Sequence, residues 1–248
     1  MITVKNAEQI ELMKISGKIV GDTLKLLGEK LRPGMSAKEL DKIAYDYITS
    51  QGAKPSFLGY SGYPASLCVS INNMVVHGIP TNKMIIEEGD IVSLDVGAVK
   101  NGYHGDAART FAVGKISDVD QKLIDVCKES FFKGIAVVKD GVRLGDIGSA
   151  IQTYVEANGF SVVRELVGHG IGTDMHEQPD VPNYGTAGRG LRMRAGMAIA
   201  IEPMINVGHW KVKQLSDGWG IVTADGSHSA HYENTIIITA EGCEITTL

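Results

Sequence analysis

Apolar residues recur at three- and four-residue intervals from Ile10 through Leu12, Met13, Ile15, Ile19, Val20 and Leu24 to Leu27. That is the period of a helix with one buried face. Asn6 is placed to cap its start, and Pro33-Gly34 ends the pattern. Ser36 followed by Glu39 has the form of a capping box. It opens a second helix through Leu40, Ile43, Ala44 and Ile48, stopping at Gly52. A loop rich in glycine, tyrosine and proline spans 57–64, and short β runs follow at 67–71 and around Val75-Val76. From 91 to 113 the pattern becomes two β-type runs joined by Asn101-Gly102, the dipeptide of a tight hairpin. Helical spacing returns at Asp118, with Leu123, Ile124, Val126, Cys127 and Phe131 on its apolar side, until Lys139-Asp140-Gly141 breaks it. A further helix covers about 144–157, with Ile147, Ile151 and Val155 at four-residue spacing. The rest reads as β: 197–207, around 220–223, 229–239 and 243–246.

The order helix-helix-strands thus occurs twice, over roughly 1–115 and 116–248. The pattern predicts an α+β fold of two pseudo-symmetric halves, with helices gathered on one side of an antiparallel sheet. No linker-like stretch separates the halves, so 1–248 is expected to form a single domain. Its 248 residues, 44% of them hydrophobic, are enough for a full core. A net charge of −5 and the lack of a basic run argue against nucleic-acid recognition. Three widely spaced cysteines, Cys68, Cys127 and Cys243, fit reduced thiols in a cytoplasmic protein better than a disulfide framework. No run approaches 18 apolar residues and the N-terminus is polar within five, so neither a membrane span nor a signal peptide is expected.

Chemistry enters with the hairpin. If Lys100 faces Tyr103, Asp95 lies opposite Ala108, and Asp106 shares that face because side-chain direction repeats every two residues. The two carboxylates become diagonal neighbours, with Cβ atoms roughly 7–8 Å apart or somewhat less. A like-charged pair held close calls for a cation or a shared proton. The later strands carry the same oddity. Glu202 follows Ala198 and Ala200 on one face, next to Pro203, which places it at an edge or bulge. Glu233 falls on the face of Ser229, His231 and Thr235. Glycines flank His169 and are expected to let the backbone turn and present the ring. Four inward acids and one imidazole suit two hard or borderline divalent ions such as Mn, Fe or Co, with Zn or Ni as further candidates.

The ordered set Asp95, Asp106, His169, Glu202 and Glu233, with His77 in VHGIP, GHGIG, MHEQP, AIEPM and HYENT, resembles the methionine aminopeptidases. The likeness is to the short, type I bacterial form and covers essentially the whole chain. It implies the pseudo-two-fold "pita-bread" fold and removal of the initiator methionine from nascent polypeptides whose second residue is small. It implies that Asp106 and Glu233 bridge two metals, that Asp95 serves one, and that His169 with Glu202 serves the other. Such a pair activates a hydroxide for attack on the scissile carbonyl. The resemblance also makes Glu202 a proton acceptor, brings His77 to the peptide nitrogen, and sets His176 at the carbonyl oxygen. A monomer acting on nascent N-termini at the ribosome is the implied setting.

By position, the slot for the thioether side chain is formed by Phe57, Tyr60, Tyr63, Cys68, Met175 and Trp219. Ser61, Met175 and Asn234 depart from the residues frequent in the family and are expected to alter the shape of that slot. Two other readings share the scaffold. A peptidase for X-Pro bonds would keep the five ligands but usually carries a large N-terminal domain, whereas here the first helix starts within ten residues. A non-enzymatic binding protein would have lost ligands, and none is lost.

Overall fold

The computed structural model describes residues 2–248. Helix α1 (Ala7–Lys30) starts at the expected cap, where the Asn6 side chain accepts from the Gln9 N–H and the Gln9 side chain accepts from the Asn6 N–H. Helix α2 (Ala37–Ser50) opens on the Ser36–Glu39 capping box. These reciprocal bonds satisfy backbone donors that a helix start leaves free. Helix α3 (Asp118–Ile135) follows Ser117, whose side chain accepts from the Asp120 N–H. It ends before Lys139, because the chain passes into tight turns in which the Val137 and Val138 N–H groups reach back three residues. Helix α4 spans Leu144–Ala157, as its spacing predicts.

The hairpin Ile91–Lys100 and Tyr103–Ala112 has the expected register throughout, with Lys100 opposite Tyr103, Asp95 opposite Ala108 and Gly97 opposite Asp106. Asn101 and Gly102 take φ of +54° and +82°, the left-handed pair that a type I′ turn requires. Strands Cys68–Ile71 and Lys54–Pro55 pair on the other edge of Ile91–Lys100, so Cys68 also faces Asp95.

The described residues build four antiparallel sheets rather than one continuous sheet. The expected run at 197–207 is two strands. Ala198–Ile201 lies within a five-stranded sheet, and Met204–Asn206 is central in a three-stranded one. Pro203 has no N–H to donate, and the chain changes sheets across Glu202-Pro203. The run at 229–239 divides in the same way, into Ser229–His231 and Asn234–Ile238, with Tyr232-Glu233 between them. Both glutamates therefore sit at crossings between sheets, and strand alternation does not set their direction. His169 lies in the strand Gly168–Gly170 within the five-stranded sheet rather than in a sharp turn. A Cβ at Gly168 would come 2.3 Å from the Ala200 carbonyl oxygen, and one at Gly170 would come 2.4 Å from that of Gln178. The glycines serve close strand approach.

Helices cover one side of the sheets. Val20, Leu24 and Leu27 of α1 and Leu40 and Ile48 of α2 pack against Val92, Leu94 and Val96 of the hairpin. Phe131 of α3 and Ile147 and Ile151 of α4 pack against Ile199, Ile201, Ile236 and Ile238. Because strand residues alternate in direction, the faces turned from the helices are free for polar side chains. Among the described residues, no helix is long and apolar enough to cross a membrane.

Gly17 is where α1 meets both the hairpin and the C-terminal segment. A Cβ there would lie 2.3 Å from the Thr246 carbonyl oxygen, and one at Gly105 would lie 2.9 Å from the Gly17 Cα. Both obstacles are backbone and cannot rotate away. Gly17→Ala is therefore expected to lower unfolding free energy by about 1–3 kcal/mol, despite the ~1 kcal/mol that alanine adds to an exposed helix. Gly242→Ala, where a Cβ meets nothing within 4 Å, should stay within about 0.5 kcal/mol. Urea denaturation of the two variants checks the contrast.

Candidate metal centre and apolar pocket

Asp95, Asp106, His169, Glu202 and Glu233 all line one pocket, together with His77, His176 and all six candidates for the side-chain slot. Its cavity volume is about 180 Å³. The acids form its floor. Asp106 and Glu233 are 4% and 2% exposed, and one carboxylate oxygen each of Asp95, Asp106 and Glu233 is buried without a hydrogen-bond partner. Such groups are costly unless something compensates them.

The second hairpin strand brings the halves of the floor together. Ala108 and Glu233 exchange backbone hydrogen bonds. The Asp106 N–H donates to Thr235 Oγ1, which donates to the Asp106 carbonyl. Arg109 reinforces this seam: its guanidinium donates to the carbonyls of Ala108 and Glu233 and to Asn234 Oδ1. No motif in the sequence pointed to Arg109, because its role depends on a partner 124 residues away. Asn234 also accepts from Thr247 and lies outside the pocket lining. The expectation that Asn234 reshapes the slot is thus corrected, since its side chain turns back to the seam. Ser61 and Met175 do line the slot.

The electrostatics are those of crowded, buried carboxylates. Burial, then the Asp106 carboxylate, raises the Asp95 pKa well above the ordinary range. Burial raises Asp106 to about 8. Burial and neighbouring acids push Glu202 and Glu233 well up. His169 is held as a neutral imidazole by burial. Its Nδ1 lies 2.8 Å from the Gly170 carbonyl, which can only accept, so the proton is on Nδ1. The Nε2 lone pair then faces Asp106 Oδ2 at 3.6 Å and Glu202 Oε1 at 3.7 Å. A lone pair facing two carboxylates is repulsive unless a proton or a cation lies among them. Asp106, His169 and Glu233 present donor atoms within 4.8 Å of one another, as do Asp95, His231 and Glu233. The donor set fits divalent metal.

Aromatic and sulfur side chains build the other wall. Tyr63 is 3% exposed and packs edge-on against Trp219 and Phe57, while its hydroxyl donates to the Gly78 carbonyl. Cys68 is buried against it, and burial followed by the Asp95 charge keeps its thiol protonated. Met175 is 2% exposed. At the mouth, the Tyr60 hydroxyl bonds His176 Nδ1 at 2.7 Å, and burial with the nearby His169 ring pushes His176 down to about 4. His77 takes φ of +61°, unusual for a residue with a Cβ, and burial lowers its pKa. A brace invisible to sequence patterning holds the His176 loop. Glu177 accepts from the backbone N–H of Thr173 and from Lys5 Nζ at 2.6 Å, an ion pair whose side chains are only 5% and 7% exposed. His231, grouped with Glu233 by alternation but given no role, also reaches the floor.

A carboxyl raised to about 8 holds its proton in the folded state over a range where the unfolded chain has lost it. Its contribution to stability is complete below the ordinary carboxylate value and is lost as pH rises through about 8. Chelator-treated protein should therefore melt at progressively lower temperature from about pH 6 to about pH 9, and saturating divalent cation should flatten that slope. Thermal denaturation across the range is the check, and a melting temperature that climbs with pH would contradict it.

Comparison with known proteins agrees with this geometry. Residues 11–240 match the model of metallopeptidase family M24. The chain is 58% identical to the methionine aminopeptidase of Clostridium perfringens, over all of this chain and 99% of that protein. It superposes on the crystal structure of the methionine aminopeptidase from Thermotoga maritima with a TM-score of 0.98 at 46% identity, covering 100% of this chain and 99% of the other. The prolidase from Pyrococcus furiosus shares the pita-bread fold alone, with a TM-score of 0.79 at 23% identity, covering 99% of this chain and 65% of the other. The chain belongs to metallopeptidase family M24 and, within it, to the methionine aminopeptidases of the short bacterial form.

Proposed function

We propose that this protein is a metal-dependent aminopeptidase that removes the N-terminal methionine from nascent proteins and peptides whose second residue is small. The observation that carries the reading is the neutral His169, its lone pair turned onto two buried carboxylates, beside a slot walled by Tyr63, Cys68, Met175 and Trp219. Asp106 and Glu233 would be held in common by two divalent cations, with Asp95 serving one position and His169 with Glu202 the other. Oxygen donors with an imidazole favour Mn, Fe or Co, with Zn or Ni as alternatives. When bound, the two cations supply a nucleophile that is ionised near neutral pH and polarise the scissile carbonyl.

The chain's own groups do the rest. The slot has no charged side chain along its Tyr63–Trp219 wall, so a flexible, unbranched thioether enters without desolvating a charge. Glu202 takes a proton from the attacking water and delivers it to the leaving amine. His176 is neutral at pH 7. With the Tyr60 phenol donating to Nδ1, Nε2 carries the proton and donates to the carbonyl oxygen as it gains charge. His77 contacts the peptide nitrogen on the leaving side. The three free cysteines fit action in the cytoplasm, where the substrates are polypeptides emerging from the ribosome and the enzyme acts as a monomer.

Purified protein should release methionine from Met-Ala and Met-Gly peptides, stop after chelation, and recover with Mn or Co. Preferential cleavage of X-Pro peptides would instead favour the prolidase-like specificity of the shared fold. Asp106→Asn should abolish turnover and lower metal occupancy with a near-normal far-UV CD spectrum, because Asp106 sits in the middle of an unbroken hairpin register. Surviving kcat would remove Asp106 from the shared-ligand role.

A further inference from the structure

His231 ends the strand Ser229–His231, opposite Met204, and is 2% exposed. Its backbone is pinned to the hairpin: the His231 N–H donates to Thr110 Oγ1, and the Thr110 hydroxyl donates to the His231 carbonyl. The ring has no such partner. Both of its nitrogens are buried without a hydrogen bond, which is unusual for a core histidine and costly if nothing compensates it. Nε2 faces Glu233 Oε2 at 3.7 Å and Glu202 Oε2 at 3.9 Å.

Those separations are too long for hydrogen bonds. They match the 3.6 and 3.7 Å by which His169 Nε2 faces Asp106 and Glu202. Donor atoms bound to one cation at about 2.0–2.2 Å stand about 3–4 Å apart, so both imidazoles have the spacing of ligands rather than of hydrogen-bond donors. The two clusters also mirror each other. Asp106, His169 and Glu233 converge on one side, Asp95, His231 and Glu233 on the other, and Glu233 is common to both. We propose that His231 is a metal ligand on the Asp95–Glu233 side, so that each cation position has one imidazole instead of the pair sharing His169 alone. This rests on the two-cation centre proposed above and adds a sixth residue to it.

The test uses the intact protein loaded with Co(II). An imidazole bound to Co(II) through Nε2 shows its remaining N–H proton far outside the diamagnetic range of the proton NMR spectrum in water. Wild type should show two such exchangeable resonances, one lost in His169→Ala and the other in His231→Ala. Calorimetric titration of His231→Ala should show one cobalt equivalent weakened at least about tenfold and the other nearly unchanged. Two equivalents bound with a single shifted N–H in wild type would overturn the assignment of His231 while leaving the two-cation reading intact. That count needs no variant, so it decides the question even if His231→Ala fails to fold. Wild type that binds no cobalt at all would overturn the two-cation reading itself, and His231 as a ligand with it.

Discussion

Four carboxylates closed into one cavity cannot all be charged without compensation, and the rest of the structure is arranged around that constraint. Desolvation makes each ionised acid costly, and proximity adds repulsion among them. Burial raises the pKa of all four, and neighbouring carboxylates add to it for Asp95, Glu202 and Glu233. A protein that only needed stability would have apolar residues here. Keeping the acids makes sense when cations complete the site, and the neutral His169 with its lone pair turned inward fits the same purpose.

Holding such a floor in place requires strong scaffolding, which the backbone supplies. The hairpin contributes two acids from paired strands, and its second strand is stitched to the segment around Glu233 by backbone bonds, Thr235 and Arg109. Helices α1 and α2 press on the opposite face of the same hairpin, with α3 and α4 behind the partner sheets. The acids thus sit where two rigid bodies of packing meet. Glu202 and Glu233 occupy crossings between sheets, where the chain has left one ladder and not yet joined the next. Freed from the ladder, these side chains can turn toward the pair from the hairpin.

The substrate side follows a different logic. Its wall is largely apolar, and both tyrosine hydroxyls in it have partners: that of Tyr63 a backbone carbonyl, that of Tyr60 His176. The His176 loop is anchored from outside the pocket by Lys5 and Glu177. Positioning residues for the site therefore come from the N-terminal segment as well as from the strands that carry the acids.

Features governed by local rules are legible in the residues alone. Asn101-Gly102 allows a two-residue turn, which sets the register and hence the shared face of Asp95 and Asp106. Asn6 and Ser36 start their helices for equally local reasons. Pro203 marked the break beside Glu202 because proline cannot continue a ladder. The division of labour among the ligands came from family resemblance, not from spacing. Long-range packing, by contrast, breaks the 229–239 run at Glu233, turns Asn234 away to Arg109, sets Lys5 to brace the His176 loop, and brings His231 to the acids. The physical reason is that side-chain period fixes direction within a strand. Which distant strands converge is set by how separate sheets pack, and no local pattern encodes that meeting.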